Sequence, residues 1–144
     1  MKNIKIILIL AAGLFLFSSK SDAQCLDFVK TKGFIKLDTA IYLPDGRLDA
    51  IPLSQGDNFE VYKSFFRGRK YKIVVIGDDI PGISFTVKNF QRQVLFDSKK
   101  RNSDNWEFVS AKNQNVIINV DIPLAKNGNP KTGCVAIIVG FAQN

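Results

Sequence analysis

Turn-forming residues interrupt this chain about every ten positions, and that spacing limits how long any regular element can be. Pro44-Asp45-Gly46 and Asn127-Gly128-Asn129-Pro130 are two examples, because proline presets one turn dihedral and glycine accepts the left-handed one. Between turns, apolar residues alternate with polar ones, as in residues 83–88. Such alternation is typical of a half-buried strand. The pattern predicts an all-β sandwich of about eight short antiparallel strands.

Four segments need separate interpretation. Residues 25–32 are the one stretch that could form a helix, whereas residues 34–43, apolar at intervals, are interpreted among the strand signals. Residues 99–105 are predicted to be a polar loop. Residues 135–139 are apolar without alternation, so we expect both faces of the last strand to be covered. Either the N-terminal segment or a second copy of the chain would cover the outer face of this strand. Of the two, we expect the N-terminal segment, and therefore a monomer.

The first 23 residues have the pattern of a signal peptide. Lys2 and Lys5 precede an apolar run over residues 6–17, and Ser21-Asp22-Ala23 supplies small residues at a cleavage site. The run is shorter than the roughly 20 residues that a spanning helix needs, although a buried helix or a permanent anchor are alternatives. Cleavage after Ala23 would leave residues 24–144 as a single exported domain, periplasmic, cell-surface or extracellular, with no membrane span.

Two cysteines, Cys25 and Cys134, belong to the exported part of the chain. An even number of cysteines in an oxidising compartment predicts a disulfide, which would join the N-terminus to the last strand. Two free buried thiols are one alternative. Lipid attachment at Cys25 is another, but that signal requires a small residue before the cysteine, and Gln24 is not small.

Several motifs in residues 59–141 resemble those of a known family. In Gly68-Arg69-Lys70-Tyr71, a glycine and a basic residue precede an aromatic-led strand, and Val94-Leu95-Phe96-Asp97, Trp106-Glu107-Phe108 and residues 133–140 follow as further strands. The arrangement resembles bacterial pre-peptidase C-terminal domains, in particular small exported single-domain forms from Bacteroidetes-type bacteria. The resemblance implies a jelly-roll-like β-sandwich. It also implies a role in binding, secretion or stability, by analogy with such domains appended to secreted hydrolases.

The residue types present argue against an enzyme. The chain has no histidine, which removes the usual general base of hydrolytic triads and the commonest metal ligand. It has no glycine motif that would cradle a phosphate. We therefore expect no catalytic activity and no cofactor. Asp78 and Asp79 are candidates for calcium, which takes loop oxygens, although a solvated turn is the alternative.

Basic residues are the candidate ligand-binding residues in a chain of net charge +7. They form two clusters: Arg67, Arg69 and Lys70, and then Lys99, Lys100 and Arg101. On a strand, Lys70 and Lys72 should point the same way, opposite Tyr71. If the loop that holds the second cluster folded over that face, one basic surface with nearby aromatic rings would result.

This chemistry suggests an acidic partner. Guanidinium groups suit carboxylate and phosphate, so an acidic glycan or lipopolysaccharide of the envelope is the first hypothesis. An assembly protein that docks to another exported protein through apolar surface is the second hypothesis, motivated by the last strand. Ordinary solvated charges that protect edge strands are the simplest alternative. Nucleic acid is not an expected partner outside the cell.

Overall fold

The computed structural model describes residues 22–143, so the predicted signal peptide lies outside the described residues apart from Asp22 and Ala23. The described part forms two antiparallel sheets. The strands are β1 Tyr42–Pro44, β2 Asp49–Ser54, β3 Asn58–Phe65, β4 Lys70–Gly77, β5 Ser84–Asn89, β6 Val94–Asp97, β7 Asn105–Val109, β8 Gln114–Asp121 and β9 Thr132–Ala142.

The strand order is that of a jelly roll. Sheet I runs β2-β9-β4-β7, with the short β1 paired to the same edge of β9, and sheet II runs β3-β8-β5-β6. The strands therefore pair as nested hairpins, β2 with β9, β3 with β8, β4 with β7 and β5 with β6. The all-β, jelly-roll-like sandwich predicted from the sequence is confirmed.

The main core lies between the two sheets. Phe85 and Val87 on β5 point into it, as do Val116, Ile118 and Val120 on β8, as their spacing of two residues predicts. Each such side chain contributes about 1.5–3 kcal/mol when it is removed from water. The core thus fixes which face of each strand is available to a ligand.

A buried lysine closes one side of this core. Lys63 lies on the inner face of β3, and its Nζ is 2.8 Å from a carboxylate oxygen of both Asp45 and Asp49. Asp45 lies in the β1–β2 connection and Asp49 begins β2 of sheet I, so the contact ties the two sheets together. Pairing with two carboxylates makes the burial of this charge possible.

The N-terminal segment is helical for longer than the sequence predicts. It consists of α1 (Asp22–Phe28), a π-helical turn (Val29–Gly33) and α2 (Phe34–Leu37), and it ends at Asp38 with φ of 65°. The predicted helix over residues 25–32 was therefore too short, and the strand interpretation of residues 34–43 was wrong at its beginning. These residues form a helix and not a strand because a helix places apolar residues at four-residue intervals on the face that packs against sheet I.

Sheet I is covered by this helical segment on its outer face. Cys25, Val29 and Leu37 pack against Ala136 and Ile138 of β9. The approach is so close at Gly33 that an added Cβ would collide with the side chain of Ile138. The other face of β9 lies in the main core, so both faces are covered, as predicted, within a single chain.

The Cys25–Cys134 disulfide is present and fastens the helical cover to β9, with the two Cα atoms 5.2 Å apart. The apolar face of β9 that motivated the assembly hypothesis is therefore occupied by the chain's own N-terminal segment. Within residues 22–143, no helix is long and apolar enough to cross a membrane.

The predicted polar loop over residues 99–105 begins with a helical turn, α3 (Ser98–Arg101). The Asp97 carboxylate accepts hydrogen bonds from the backbone N–H groups of Lys99 and Lys100, at 3.0 and 3.3 Å, which caps the turn. Asn102, with φ of 48°, ends it. The loop prediction was wrong for Lys99, Lys100 and Arg101, because an aspartate cap is enough to start one helical turn, and for Asn105, which begins β7.

Candidate ligand-binding end

From β2 to β9 successive strands alternate in direction, which assigns each connection between them to one of two ends of the sandwich; β1 and β2, by contrast, both run antiparallel to β9. The β3–β4, β5–β6 and β7–β8 turns (residues 66–69, 90–93 and 110–113) lie at one end, here called the basic end. The other four connections (residues 55–57, 78–83, 98–104 and 122–131) lie at the opposite end, here called the mixed end.

The structure separates the two basic clusters predicted from the sequence. Lys70 pairs with Val109 at one end of β7, whereas Val74 pairs with Asn105 at the other. Four residues of extended chain span about 13 Å, so α3, which precedes Asn105, lies across the molecule from Lys70. Arg67, Arg69 and Lys70 belong to the basic end, and Lys99, Lys100 and Arg101 to the mixed end. The single surface that would have combined them does not form.

The two ends differ in charge. The three turns of the basic end hold four basic residues and no aspartate or glutamate; the basic residues are Arg67, Arg69, Arg92 and Lys112. The four connections of the mixed end hold acidic and basic residues in nearly equal number; they are Asp57, Asp78, Asp79, Asp104, Lys99, Lys100, Arg101, Lys126 and Lys131. A net positive potential is therefore expected at the basic end, with Arg92 alone of the four paired to a carboxylate, that of Glu60 at 3.8 Å, among the described residues.

The turn that carries Arg67 and Arg69 is held in place by its neighbour. Gly68 N donates to Ser110 O at 2.8 Å, and Ser110 N donates to Arg69 O at 3.0 Å. Arg67 N donates to the side-chain oxygen of Asn113 at 2.8 Å. Gly68 adopts φ of 81°, which the tight turn requires. Both arginines thus project from a backbone that is already ordered.

Arg69 and Lys70 line a shallow cavity at this end. The cavity has a volume of about 270 Å³ and includes Phe141 and Gln143. The Arg69 guanidinium lies 5.3 Å from the centre of the Phe141 ring, a cation–π distance. The guanidinium is therefore oriented by an aromatic face and has no carboxylate partner among residues 22–143.

Lys70, by contrast, belongs to a polar network on the outer face of sheet I. Its Nζ and that of Lys72 lie 3.3 and 3.4 Å from the Glu107 carboxylate, and both lie 5.5 Å from the centre of the Tyr42 ring. The two lysines point the same way, opposite the buried Tyr71, as predicted.

Proton equilibria in this network favour the charged forms of the ion pair. Hydrogen bonding to Tyr42 is the main cause that lowers the pKa of Glu107 below its ordinary value, with Lys70 and Lys72 adding to it. Hydrogen bonding to Tyr42, then to Glu107, raises the pKa of Lys70. Lys70 is thus protonated at neutral pH, and the Glu107 carboxylate neutralises part of its charge. Arg67 and Arg69 have no such carboxylate partner among residues 22–143.

Residues that the sequence prediction missed also lie at the basic end. Arg92 and Lys112 were not candidates, nor were the exposed side chains of Phe66, Phe90 and Val109, which are 57%, 53% and 62% exposed. The available signal was that a basic residue follows each of these apolar residues within three positions. This pattern identifies a common surface only when the three turns are known to lie at the same end of the sandwich.

At the mixed end, the second predicted cluster is partly neutralised. Lys99 Nζ lies 3.4 Å from the Asp121 carboxylate, while Lys100 and Arg101 are exposed. Lys99 and Asp104 line a cavity of about 540 Å³. Whether any of the six basic residues binds a ligand stays a prediction.

The calcium candidates also lie at the mixed end. Asp78 is 3.1 Å from Lys32 Nζ, and Asp79 adopts φ of 61° in the same turn. Within residues 22–143, no group of three or more histidine, cysteine, aspartate or glutamate side chains could hold a metal ion. Calcium binding at this turn stays a prediction.

Comparisons with known proteins show the fold. No protein-family model matches the chain, so the resemblance to pre-peptidase C-terminal domains stays a prediction, and no curated protein matches its sequence. Among solved structures, the chain is similar to PliG from Aeromonas hydrophila, a periplasmic lysozyme inhibitor of g-type lysozyme. The two share 11% identity with a TM-score of 0.52, over 66% of this chain and 84% of that one. At this identity the similarity extends to the β-sandwich fold alone.

Proposed function

We propose that this chain is an exported, non-catalytic binding protein that recognises an acidic component of the cell envelope through its basic end. The observation that carries the proposal is the charge of the three turns there, which hold four basic residues and no acidic one. The ligand class is a glycan or lipopolysaccharide that bears phosphate or carboxylate groups.

The geometry of the β3–β4 turn supports this assignment. The hydrogen bonds that fix the turn remove much of the ordering cost that binding would otherwise incur. Guanidinium groups donate paired hydrogen bonds to phosphate and carboxylate oxygens, and Arg67 and Arg69 carry such groups without a carboxylate partner in the described chain. Of the residues predicted from the sequence, the proposal retains these two and Lys70 and adds Arg92 and Lys112.

The mixed end is not part of the proposed site. Lys99, Lys100 and Arg101 lie among aspartates that offset their charge, and Lys99 is already paired. The long-range attraction of an anion should therefore be weaker there, and exposed pairs of this kind contribute little energy. This cluster serves as the matched control for the first.

The proposal is tested by binding of the purified exported protein to lipopolysaccharide and to acidic and neutral glycans, at low and at physiological salt. Arg67→Glu/Arg69→Glu should weaken binding to the acidic ligands at least tenfold, and salt should do the same, because exposed charges are screened within about 8 Å. Lys100→Glu/Arg101→Glu should have little effect. Equal loss in the two variants, or salt-independent binding to neutral glycans, would contradict the proposal.

The similar solved structure supports a second candidate, a protein partner. PliG is a periplasmic inhibitor of another protein, g-type lysozyme. A basic turn with exposed Phe66 beside Arg67 also has the composition of a protein-binding hot spot. Inhibition of g-type lysozyme by the purified chain, lost in Arg67→Glu/Arg69→Glu, would favour this candidate; no inhibition at micromolar concentration would exclude that enzyme as the partner.

A further inference from the structure

Each turn of the basic end combines an exposed apolar side chain with a basic one. Phe66 precedes Arg67 in the β3–β4 turn, and Phe90 lies two residues before Arg92 in the β5–β6 turn. Val109 ends β7 at the β7–β8 turn, which carries Lys112. All three apolar side chains are more than half exposed. Single exposed apolar residues are ordinary, but here one accompanies a basic residue at each of three turns of the same end, with Phe66 and Phe90 on the side of sheet II and Val109 on the side of sheet I.

The aromatic part of this surface continues along sheet II. Tyr62 points outward from β3 and is more than half exposed, and the Phe90 ring stacks against it with 6.2 Å between ring centres. Arg92 lies 3.8 Å from Glu60 on the same strand, so the β5–β6 turn leans over the outer face of sheet II. Phe66 follows Tyr62 by four residues, an even number, so the alternation of a strand places both side chains on the same face. Aromatic rings therefore lie beside the basic residues, at one corner of the molecule.

We propose that the basic end docks on an anionic lipid layer, with its basic residues at the phosphate groups and its exposed apolar side chains at the acyl boundary. The inference rests on the proposed function, since both require the basic end to attract anions. Aromatic and basic side chains together are typical of proteins that sit at a membrane interface. Basic residues add affinity for an anionic leaflet, roughly fivefold for each one near the surface.

A lipid layer accounts for both parts of the surface. A soluble acidic polymer would engage Arg67, Arg69, Arg92 and Lys112 but would leave the apolar side chains in water. A lipid layer presents phosphate and hydrocarbon at adjacent depths, and it is broad enough to meet all three turns at once. The aspartates of the mixed end would face away from the layer, so the charge distribution also orients the molecule.

The test compares vesicles with a soluble anion. The purified exported protein is sedimented with vesicles of phosphatidylglycerol and phosphatidylcholine and with vesicles of phosphatidylcholine alone, and its affinity for soluble polyphosphate is measured in parallel. Phe66→Ser/Phe90→Ser should lower partitioning into the anionic vesicles at least tenfold and leave polyphosphate binding unchanged. Leu124→Ser, at an even more exposed apolar residue of the mixed end, is the matched control and should change neither.

The outcomes separate this inference from the proposed function. Binding of polyphosphate with no preference for anionic vesicles, or vesicle binding that survives Phe66→Ser/Phe90→Ser, would overturn lipid docking and leave the proposed anion site standing. Absence of binding to both probes would overturn both. The substituted side chains are exposed, and an unchanged melting temperature of each variant will show that the fold is intact.

Discussion

Removal of the disulfide should destabilise the whole domain by about 5 kcal/mol. The Cys25–Cys134 bond joins residues 109 positions apart, which is nearly the full described length. In the chain-entropy account, a cross-link of that span removes about 16 cal/mol/K of entropy from the unfolded chain, or about 5 kcal/mol at 25 °C. Small domains have a total stability of about 5–15 kcal/mol, so this single bond is a large part of it.

Urea unfolding of Cys25→Ala/Cys134→Ala measures this loss. With a slope of about 1.5 kcal/mol per molar urea, the midpoint should fall by about 3 M. The variant should still unfold in one step, because Val29 and Leu37 remain packed on β9 and couple the helical cover to the sandwich. If the variant is unfolded without urea, added sucrose should restore the transition. A loss below about 2 kcal/mol, or a separate early transition of the cover, would refute this reasoning.

Three further predictions concern stability. Lys63→Met should cost about 3–5 kcal/mol in urea unfolding, because it leaves Asp45 without its cation and Asp49 with only the exposed Arg47, whereas Lys112→Met on the surface should cost less than about 0.5 kcal/mol. Glu107, whose pKa is lowered mainly by Tyr42, should stabilise the fold above pH 4.5 and lose that contribution as the pH falls through its folded pKa. Glu107→Gln should abolish this part of the dependence below about pH 5, and the effect should be below about 1 kcal/mol because the side chain is partly exposed. Calcium and EDTA should leave the melting temperature unchanged, because Asp78 already pairs with a lysine; a rise with calcium would restore the metal-site hypothesis.

The sandwich could be predicted from the sequence because its signals are local. Alternation in residues 83–88 identifies the inward positions of β5 whatever lies across from them, and the turns are marked by proline and glycine. The helical cover could not be predicted in full, because its length depends on the sheet beneath it. Gly33 illustrates this, since its need for glycine arises from contact with Ile138, more than a hundred residues away.

Lys63 shows the limit of residue type as a guide to burial. Its neighbours two positions away, Val61 and Phe65, face the core, yet a lysine at the same parity would ordinarily be assigned to solvent. The carboxylates that permit its burial come from another sheet. The sequence does not show that pairing, because it depends on how the β1–β2 connection crosses the edge of the sandwich.

The candidate site was predicted in composition but not in arrangement. The sequence identified both basic clusters, and it identified Tyr71 as opposite Lys70 and Lys72. The sequence analysis did not recognise that Arg67 and Lys100 lie at opposite ends of the sandwich. Counting the strands that precede each residue would have shown it. From β2 onwards, connections after odd-numbered strands lie at one end and those after even-numbered strands at the other; Arg67 follows β3 and Lys100 follows β6. The same parity gathers Arg92 and Lys112 beside Arg67, which residue spacing alone could not do.

The most direct test of the basic end as the binding site is amide chemical-shift mapping of the isotope-labelled protein during titration with a soluble acidic oligosaccharide. The account predicts that shifts concentrate in residues 66–70, 90–93 and 110–113, that residues 98–104 stay unchanged, and that physiological salt reduces the response. Shifts centred on residues 98–104, or spread evenly over both ends, would contradict it.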